Sequence, residues 1–310
     1  MSGHTRALSD LGRADEPEFG GKSAGLGELL AAGLPVPPGF ALACAAYPGR
    51  DQPMPATLRD EVAARYAELG GRAAVAVRSS AIGEDSSEAT FAGQQETLLG
   101  VRGVEPVCDA IRTCWASLYS DTAVAYRTRL GHPDTEPAMG VTVQEMVDPD
   151  VAGVLFTCNP VSGDRSMVAI NASWGLGLAV VGGEVTPDDY LVSKVTGEVV
   201  REHVHAKDIE YVPDPSGTGA ARVEVPPDRA QRACLDREAL AHLVEIGKRV
   251  ERHFGSRQDV EWALARDGDK ALFVVQARPV TGLAKKPDKP KPASAMSLIM
   301  STFGAGPPKD

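Results

Sequence analysis

The chain has 310 residues, 43% of them hydrophobic and 24% charged, enough to bury one large two-lobed unit or two domains without disulfides or structural metals. Its net charge of -10 argues against a broad basic surface, and so against nucleic acid or an anionic membrane as the main partner. The five cysteines form no C-x-x-C pair, MSGHTRALSD lacks a signal-peptide core, and no apolar run reaches membrane-span length, so a cytoplasmic protein with reduced thiols is expected.

Residues 1–17 read as a polar lead-in. A glycine-rich turn then opens a helix-like run from Ala24 to Ala32. Gly33 suits the position just past its end, and Pro35, Pro37 and Pro38 stop it from resuming before a short apolar strand. Leu58, Val62, Tyr66 and Leu69 share one face of a predicted helix over 57–69. Residues 74–81 read as a buried strand running into a turn, and a helix is expected over about 105–129. Strands are predicted at 141–147, 152–158 and 168–174, and a long helix at 228–254. DVEWALA (259–265) and ALFVVQARPV (271–280) read as a closing hairpin. Mixed helices and adjacent strand pairs favour α+β over a doubly wound parallel sheet. Residues 283–310 form a Lys/Pro-rich linker with an apolar tail, ASAMSLIMSTF, readable as an unstructured end or as a docking peptide.

Four stretches carry chemistry. Gly20-Gly21-Lys22-Ser23 fits a phosphate cradle with Lys22 as a point charge, but equally a plain helix-entry turn; Glu16 stands where a full P-loop needs glycine. Arg78 ends an apolar strand, where its guanidinium can fork onto phosphate oxygens. The Gly/Ser/Thr-rich stretch 83–101 after it suits a closing loop or a solvated surface loop. Gln144, Glu145, Met146 and Val147 end another strand, fitting either an adenine wall with backbone donors and acceptors or an ordinary half-buried strand. In the closing hairpin, a Gly268-Asp269 loop sets Glu261 opposite Gln276 and Asp259 opposite Arg278 on one face. Val260, Trp262 and Val275 then fall on the apolar face. A carboxylate facing an amide oxygen suits Mg2+, with Arg278 near enough to hold phosphate; the alternative is a solvated polar face.

In order along the chain, GGKSAGLGELLAAGLPVPPGF (20–40), VRSSAIGEDSSEATFAGQQET (77–97), VTVQEMVDPDVAGVLFTCNPVSGD (141–164), NASWGLGLAVVGGEVTPDDY (171–190) and DVEWAL…LFVVQARPV (259–280) resemble the N-terminal ATP-binding domain of the pyruvate,water dikinase (phosphoenolpyruvate synthase) and rifampicin phosphotransferase family. The resemblance covers about residues 18–282 and implies an ATP-grasp fold whose two lobes enclose the nucleotide. It also implies that Lys22, Arg78 and Arg278 contact phosphates and that Gly93 and Thr97 belong to the closing loop. Gln144, with the backbone at Glu145 to Val147, would line the adenine pocket, and Glu261 and Gln276 would bind Mg2+.

Members of that family transfer the β-phosphate of ATP to a histidine on a swivelling domain, with AMP and phosphate released. None of His4, His132, His203, His205, His242 and His253 lies in a Gly-Thr-Ser-His-type motif, and Leu178 stands where the family has glutamate. The expectation is therefore an ATP-binding subunit of a split dikinase-like phosphotransferase. A separate protein would carry the phosphohistidine, and an unidentified small molecule would be the final acceptor. A stand-alone ATP-grasp kinase or ligase would instead turn over ATP without a protein partner. A nucleotide-sensing module would bind ATP without product; the intact Lys22, Arg78, Glu261, Gln276 and Arg278 speak against such decay.

Overall fold

The structure, a computed structural model, describes residues 3–49, 52–83, 96–129, 139–181, 183–215, 219–266 and 271–280. The expected helix after the glycine turn is α2 (Gly21–Ala31), preceded by the short α1 (Glu16–Phe19). Gly33 takes φ 67° and Leu34 N–H donates back to Leu29, the left-handed helix end anticipated from the glycine. The predicted one-sided helix is α3 (Ala56–Glu68), burying Leu58, Val62 and Tyr66.

Two helices are shorter than their periodicity suggests. The run over 105–129 divides into α4 (Val104–Ala116), a 3-10 turn and α5 (Asp121–Arg129). Ser120 adopts an extended conformation and its Oγ accepts from Ala123 N–H, so a serine cap restarts the helix. The run over 228–254 divides into α7 (Pro227–Ala230) and α8 (Arg237–Phe254), because Asp236 caps α8 by accepting from Ala239 N–H at 2.8 Å.

The strands make two main sheets, all of whose pairings are antiparallel. The first has the order β1-β2-β5-β3-β4, formed by β1 (Thr5–Ala7), β2 (Gly39–Leu42), β3 (Val75–Ala81), β4 (Thr97–Val101) and β5 (Met139–Glu145). The second has the order β13-β12-β6-β7-β8-β9, from β6 (Pro149–Phe156), β7 (Met167–Trp174), β8 (Asp188–Ser193), β9 (Val199–His203), β12 (Gln258–Ala265) and β13 (Leu272–Pro279). A side hairpin joins β10 (Ile209–Pro213) to β11 (Ala220–Glu224), and α6 (Leu178–Val181) follows β7. The strands either side of Asp148 are neighbours in sequence but belong to different sheets, so Met146 to Asp148 is where the chain passes from one lobe to the other.

Of the lead-in expected over 1–17, the described residues 3–17 are part of the fold. Thr5 to Ala7 extend the first sheet by pairing with Phe40 to Leu42, and Leu8 and Leu11 lie in the core. Their apolar side chains are too few and too close to Gly12 to register as a strand pattern. The first sheet packs one face on α3 and α4 through Val75, Val77, Val141 and Val143. A second core joins α2 and α8 to the second sheet, with Leu26, Leu29, Leu243, Val260 and Trp262 among its members. Together these form the two-lobed α+β architecture expected of an ATP-grasp chain. Among the described residues no helix is long and apolar enough to cross a membrane. The tail expected over 283–310 lies outside the described residues.

Candidate functional site

Strand alternation decides which side chains can meet. In the β3–β5 pairing Arg78 lies beside Thr142, Ala76 beside Gln144 and Ser80 beside Gly140. Because the alternating valines face α3 and α4, Arg78, Ser80, Thr142 and Gln144 share the opposite face, toward α2.

Helix α2 is drawn against that face by its first turn. Gly20 has φ 81°, and a Cβ there would lie 2.0 Å from the Ser80 carbonyl oxygen, so glycine is required both for the backbone conformation and for the close approach. Ser23 N–H donates to Ser80 Oγ at 3.1 Å, and the Ser23 and Thr142 hydroxyls are 2.7 Å apart. Lys22, 2% exposed, donates from Nζ to the Ser79 carbonyl at 2.7 Å. The Gly-Gly-Lys-Ser stretch is thus a tight helix entry that delivers a lysine to the end of β3. The sequence offers Ser23 only as part of the Gly-Gly-Lys-Ser stretch, and the mutual contact of Ser23, Ser80 and Thr142 escapes it, since short hydroxyl side chains carry no spacing signal of their own.

The second lobe contributes the β12–β13 hairpin. The register places Glu261 opposite Gln276 and Asp259 opposite Arg278, as anticipated. Beyond that point a β-bulge shifts the pairing by one residue, so Trp262 faces Val274. Val274, fully buried, takes the core position expected for Val275, which is only partly buried. The Val275 carbonyl at the bulge accepts from Arg78 Nη1 at 3.1 Å. The Gly268-Asp269 loop expected to join the two strands lies outside the described residues.

Arg78 ties the lobes together. Its Nη2 donates to Gln276 Oε1 at 2.6 Å and to Glu261 Oε2 at 3.3 Å, while its Nε is buried without a hydrogen-bond partner among the described residues. The side chains of Glu261 and Gln276 therefore direct two oxygens at one cationic nitrogen. Arg278 Nε donates to Asp259 Oδ2 at 2.9 Å, and Asp259 Oδ1 is buried and unpartnered among the described residues. Burial pushes the Asp259 carboxyl above its ordinary value; Arg278 pulls it down and Glu261 adds to the rise. Asp259, which strand register alone leaves without a role, orients Arg278.

Thr97, the first residue of β4, pairs directly with Arg78. Gly93 lies outside the described residues. Gln144, 3% exposed, shares the Arg78 face and its Nε2 reaches the Pro37 carbonyl at 3.4 Å. Glu145 N–H donates to Pro38 and Met146 N–H to Ala74, each at 2.9 Å, so these two donors are engaged within the protein. Among the described residues Val147 N–H has no such partner, and Met146 Sδ accepts from Gly100 N–H. Leu178 opens α6. His205 is tied by Nδ1 to the Pro187 carbonyl and His253 by Nε2 to Glu28, both at 2.8 Å.

Arg78 of β3 thus meets the β12–β13 hairpin of the second sheet, while α2 holds Lys22 against the end of the same strand, in a two-lobed α+β architecture. The chain belongs to the family described as pyruvate phosphate dikinase, AMP/ATP-binding domain, whose model matches residues 50–297. It is 34% identical over 380 aligned positions to the probable phosphoenolpyruvate synthase of Pyrococcus abyssi, covering 97% of this chain and 46% of that protein. It is 36% identical over 342 positions to the probable phosphoenolpyruvate synthase of Methanothermobacter thermautotrophicus, covering 97% of this chain and 49% of that protein. The chain thus spans about half the length of the curated relatives it matches. Among solved structures, PH1788 from Pyrococcus horikoshii aligns with a TM-score of 0.43 at 15% identity, over 86% of this chain and 94% of that one.

Proposed function

We propose that this chain binds Mg-ATP between its lobes and directs the β-phosphoryl group to a histidine outside these 310 residues, with water taking the γ-phosphoryl group and AMP and phosphate leaving. The observation that carries the reading is the convergence of Arg78, Glu261 and Gln276 from two sheets on one point. Membership of a family of AMP/ATP-binding domains supports the nucleotide.

The residues fit a magnesium ion by their chemistry: the Glu261 carboxylate and the Gln276 amide oxygen are hard donors that already meet a cationic nitrogen. Among the described residues no group of three or more His, Cys, Asp or Glu forms a cage, which agrees with an ion that takes its remaining ligands from phosphate and water. Glu261 and Gln276 would hold the ion, which when bound neutralises charge on the phosphate chain.

The protein's own residues do the positioning. Arg78 would turn its planar guanidinium to phosphate oxygens; its buried Nε has no hydrogen-bond partner among the described residues. Lys22 adds a point charge at the entry of α2, and Asp259 pairs with Arg278 and so fixes its guanidinium on the face turned to the nucleotide. Gln144 and the backbone at Glu145 to Val147 would line the adenine, with Val147 N–H as the donor available for its edge. Thr97, beside Arg78, and Gly93 would belong to the loop that closes over the phosphates.

The test is ATP labelled at the β or the γ phosphate, given to the purified chain with magnesium, with and without extract from its source. Label from the β position on a second, acid-labile protein band supports the reading and identifies the partner protein expected from the sequence. Transfer of label to a small molecule alone would replace it with direct kinase or ligase chemistry. Bound ATP with no product in any condition would leave a sensing module.

A further inference from the structure

On the β12–β13 hairpin, Asp259, Glu261, Gln276 and Arg278 face the site described above. By strand alternation Gln258, Ala277 and Pro279 face the other way. Behind the hairpin on that side is a separate cavity of about 590 Å³, walled by the start of α2 at Gly21, Ala24 and Gly25 and by the end of α8 at Phe254. Its volume is in the range of small-molecule pockets.

Three arginines line this cavity: Arg13, Arg165 and Arg257. Among the described residues none of their guanidinium groups takes part in an ion pair or a side-chain hydrogen bond; Arg13 lies over the Phe254 ring, 5.9 Å from its centroid, and its charge helps to lower the Glu28 carboxyl. The chain carries 42 acidic residues against 32 basic ones, and elsewhere Arg6, Arg201, Arg229 and Arg237 each have a carboxylate partner. Three arginines lining one cavity suit a multiply charged oxyanion, since a guanidinium presents a fork matched to phosphate oxygens.

The rest of the lining narrows the ligand. Gln258 is 1% exposed and its Oε1 has no hydrogen-bond partner among the described residues, while its Nε2 is held by Ser256. A buried acceptor without a donor favours a ligand that brings one. Glu16 and Glu28 also line the cavity; Glu16 accepts from Gly83 N–H, and Glu28 is occupied by Arg13 N–H and His253. Carboxylates beside arginines disfavour a plain anion and favour one that carries hydroxyl groups.

We infer that this cavity binds a small hydroxylated phosphate monoester, with the phosphate on Arg13, Arg165 and Arg257 and the hydroxyls on Gln258 and Glu16. The site does not depend on the reaction proposed above. It shares α2 and the β12–β13 strands with the nucleotide face, so occupancy would bear on the same helix that carries Lys22.

Isothermal titration of the full chain with ribose 5-phosphate tests it, with and without saturating AMP-PNP. The expected result is one ribose 5-phosphate per chain, retained under AMP-PNP and tighter than inorganic phosphate. In the Arg165→Ala/Arg257→Ala variant the affinity should fall at least about tenfold, as for lost charged hydrogen bonds, while AMP-PNP affinity is unchanged. Arg165→Ala alone, at an exposed position, should show a smaller loss in the same direction and serves where the double variant is unstable. No binding of ribose 5-phosphate, competition by AMP-PNP, or unchanged affinity in the variants would overturn the site. Equal affinity for inorganic phosphate would overturn the part assigned to hydroxyls.

Discussion

Arg78 donates to the side-chain oxygen of Gln276 at 2.6 Å across 198 positions of sequence, and so joins one sheet to the other. The same nitrogen reaches Glu261, and Nη1 reaches the Val275 carbonyl at the bulge. One side chain therefore sets the distance between lobes and occupies the place where phosphate and metal are proposed to bind. Arg78→Met keeps the length and apolar stem but removes every donor. ATP turnover is expected to fall by about two orders of magnitude, as when a charge-stabilising donor is lost. Arg78→Lys should recover only part of it, because an ammonium cannot serve three acceptors in one plane. Steady-state ATP consumption with the source extract checks both; wild-type rates in Arg78→Met would remove Arg78 from the mechanism.

Glu261 separates metal from fold. Its side chain is more than a third exposed, so its replacement leaves little buried polar surface unsatisfied. Glu261→Ala is expected to shift the magnesium concentration for half-maximal ATP use upward by at least about tenfold, with little change in the unfolding midpoint. A magnesium titration of activity beside a urea melt measures the two effects; an unchanged magnesium requirement would show that Glu261 is not a ligand.

Much of this arrangement is legible in the chain, and the reasons differ by residue. The pairing of Glu261 with Gln276 and of Asp259 with Arg278 follows from alternation and a short turn, because strand register is a local property. The meeting of Arg78 with that pair is not local, and among sequence features only the family resemblance brings them together. Alternation misplaces Val275 because a bulge inserts one residue without any signature in the side chains. Periodicity overextends the helix over 105–129 because it continues through Ser117 to Ser120, while the serine cap that restarts the helix acts through backbone geometry. The role of Thr5 to Ala7 is hidden for a different reason: a three-residue edge strand is too short for a pattern. Likewise the engagement of the Glu145 and Met146 N–H groups is a matter of neighbouring strands, which composition at 144–147 does not encode.

The entry of α2 makes a stability prediction. Gly20 has positive φ and no room for a Cβ against the Ser80 carbonyl, which is backbone and cannot swing aside. Gly20→Ala must therefore separate α2 from β3, disturbing the contacts of Ser23 with Ser80 and Thr142. A loss of about 2–4 kcal/mol in a urea melt is expected, with weaker nucleotide binding because Lys22 moves with the helix. Gly183, also at positive φ but with open space around it, gives the comparison: Gly183→Ala should lose only about 1 kcal/mol.

Acid should loosen the contact between α2 and α8. Glu28 on α2 accepts from Arg13 N–H and from His253 on α8, both at 2.8 Å, and the hydrogen bond from Arg13 is the main cause holding its carboxyl below the ordinary 4.5, against a rise from burial. A carboxylate with a depressed folded-state pKa contributes stability that is present above the unfolded value and lost as pH falls through the folded one. Glu28 therefore stabilises the fold above about pH 4.5 and ceases to do so as acid protonates it below that value. Glu28→Gln keeps the size and one acceptor but not the charge, so its melting temperature should lie below wild type at neutral pH. The gap should close as pH drops below about 4.5. Thermal melts at a series of pH values between neutrality and about pH 3.5 measure the gap directly. A constant difference across the series would mean that the Glu28 carboxyl is not what the two helices share.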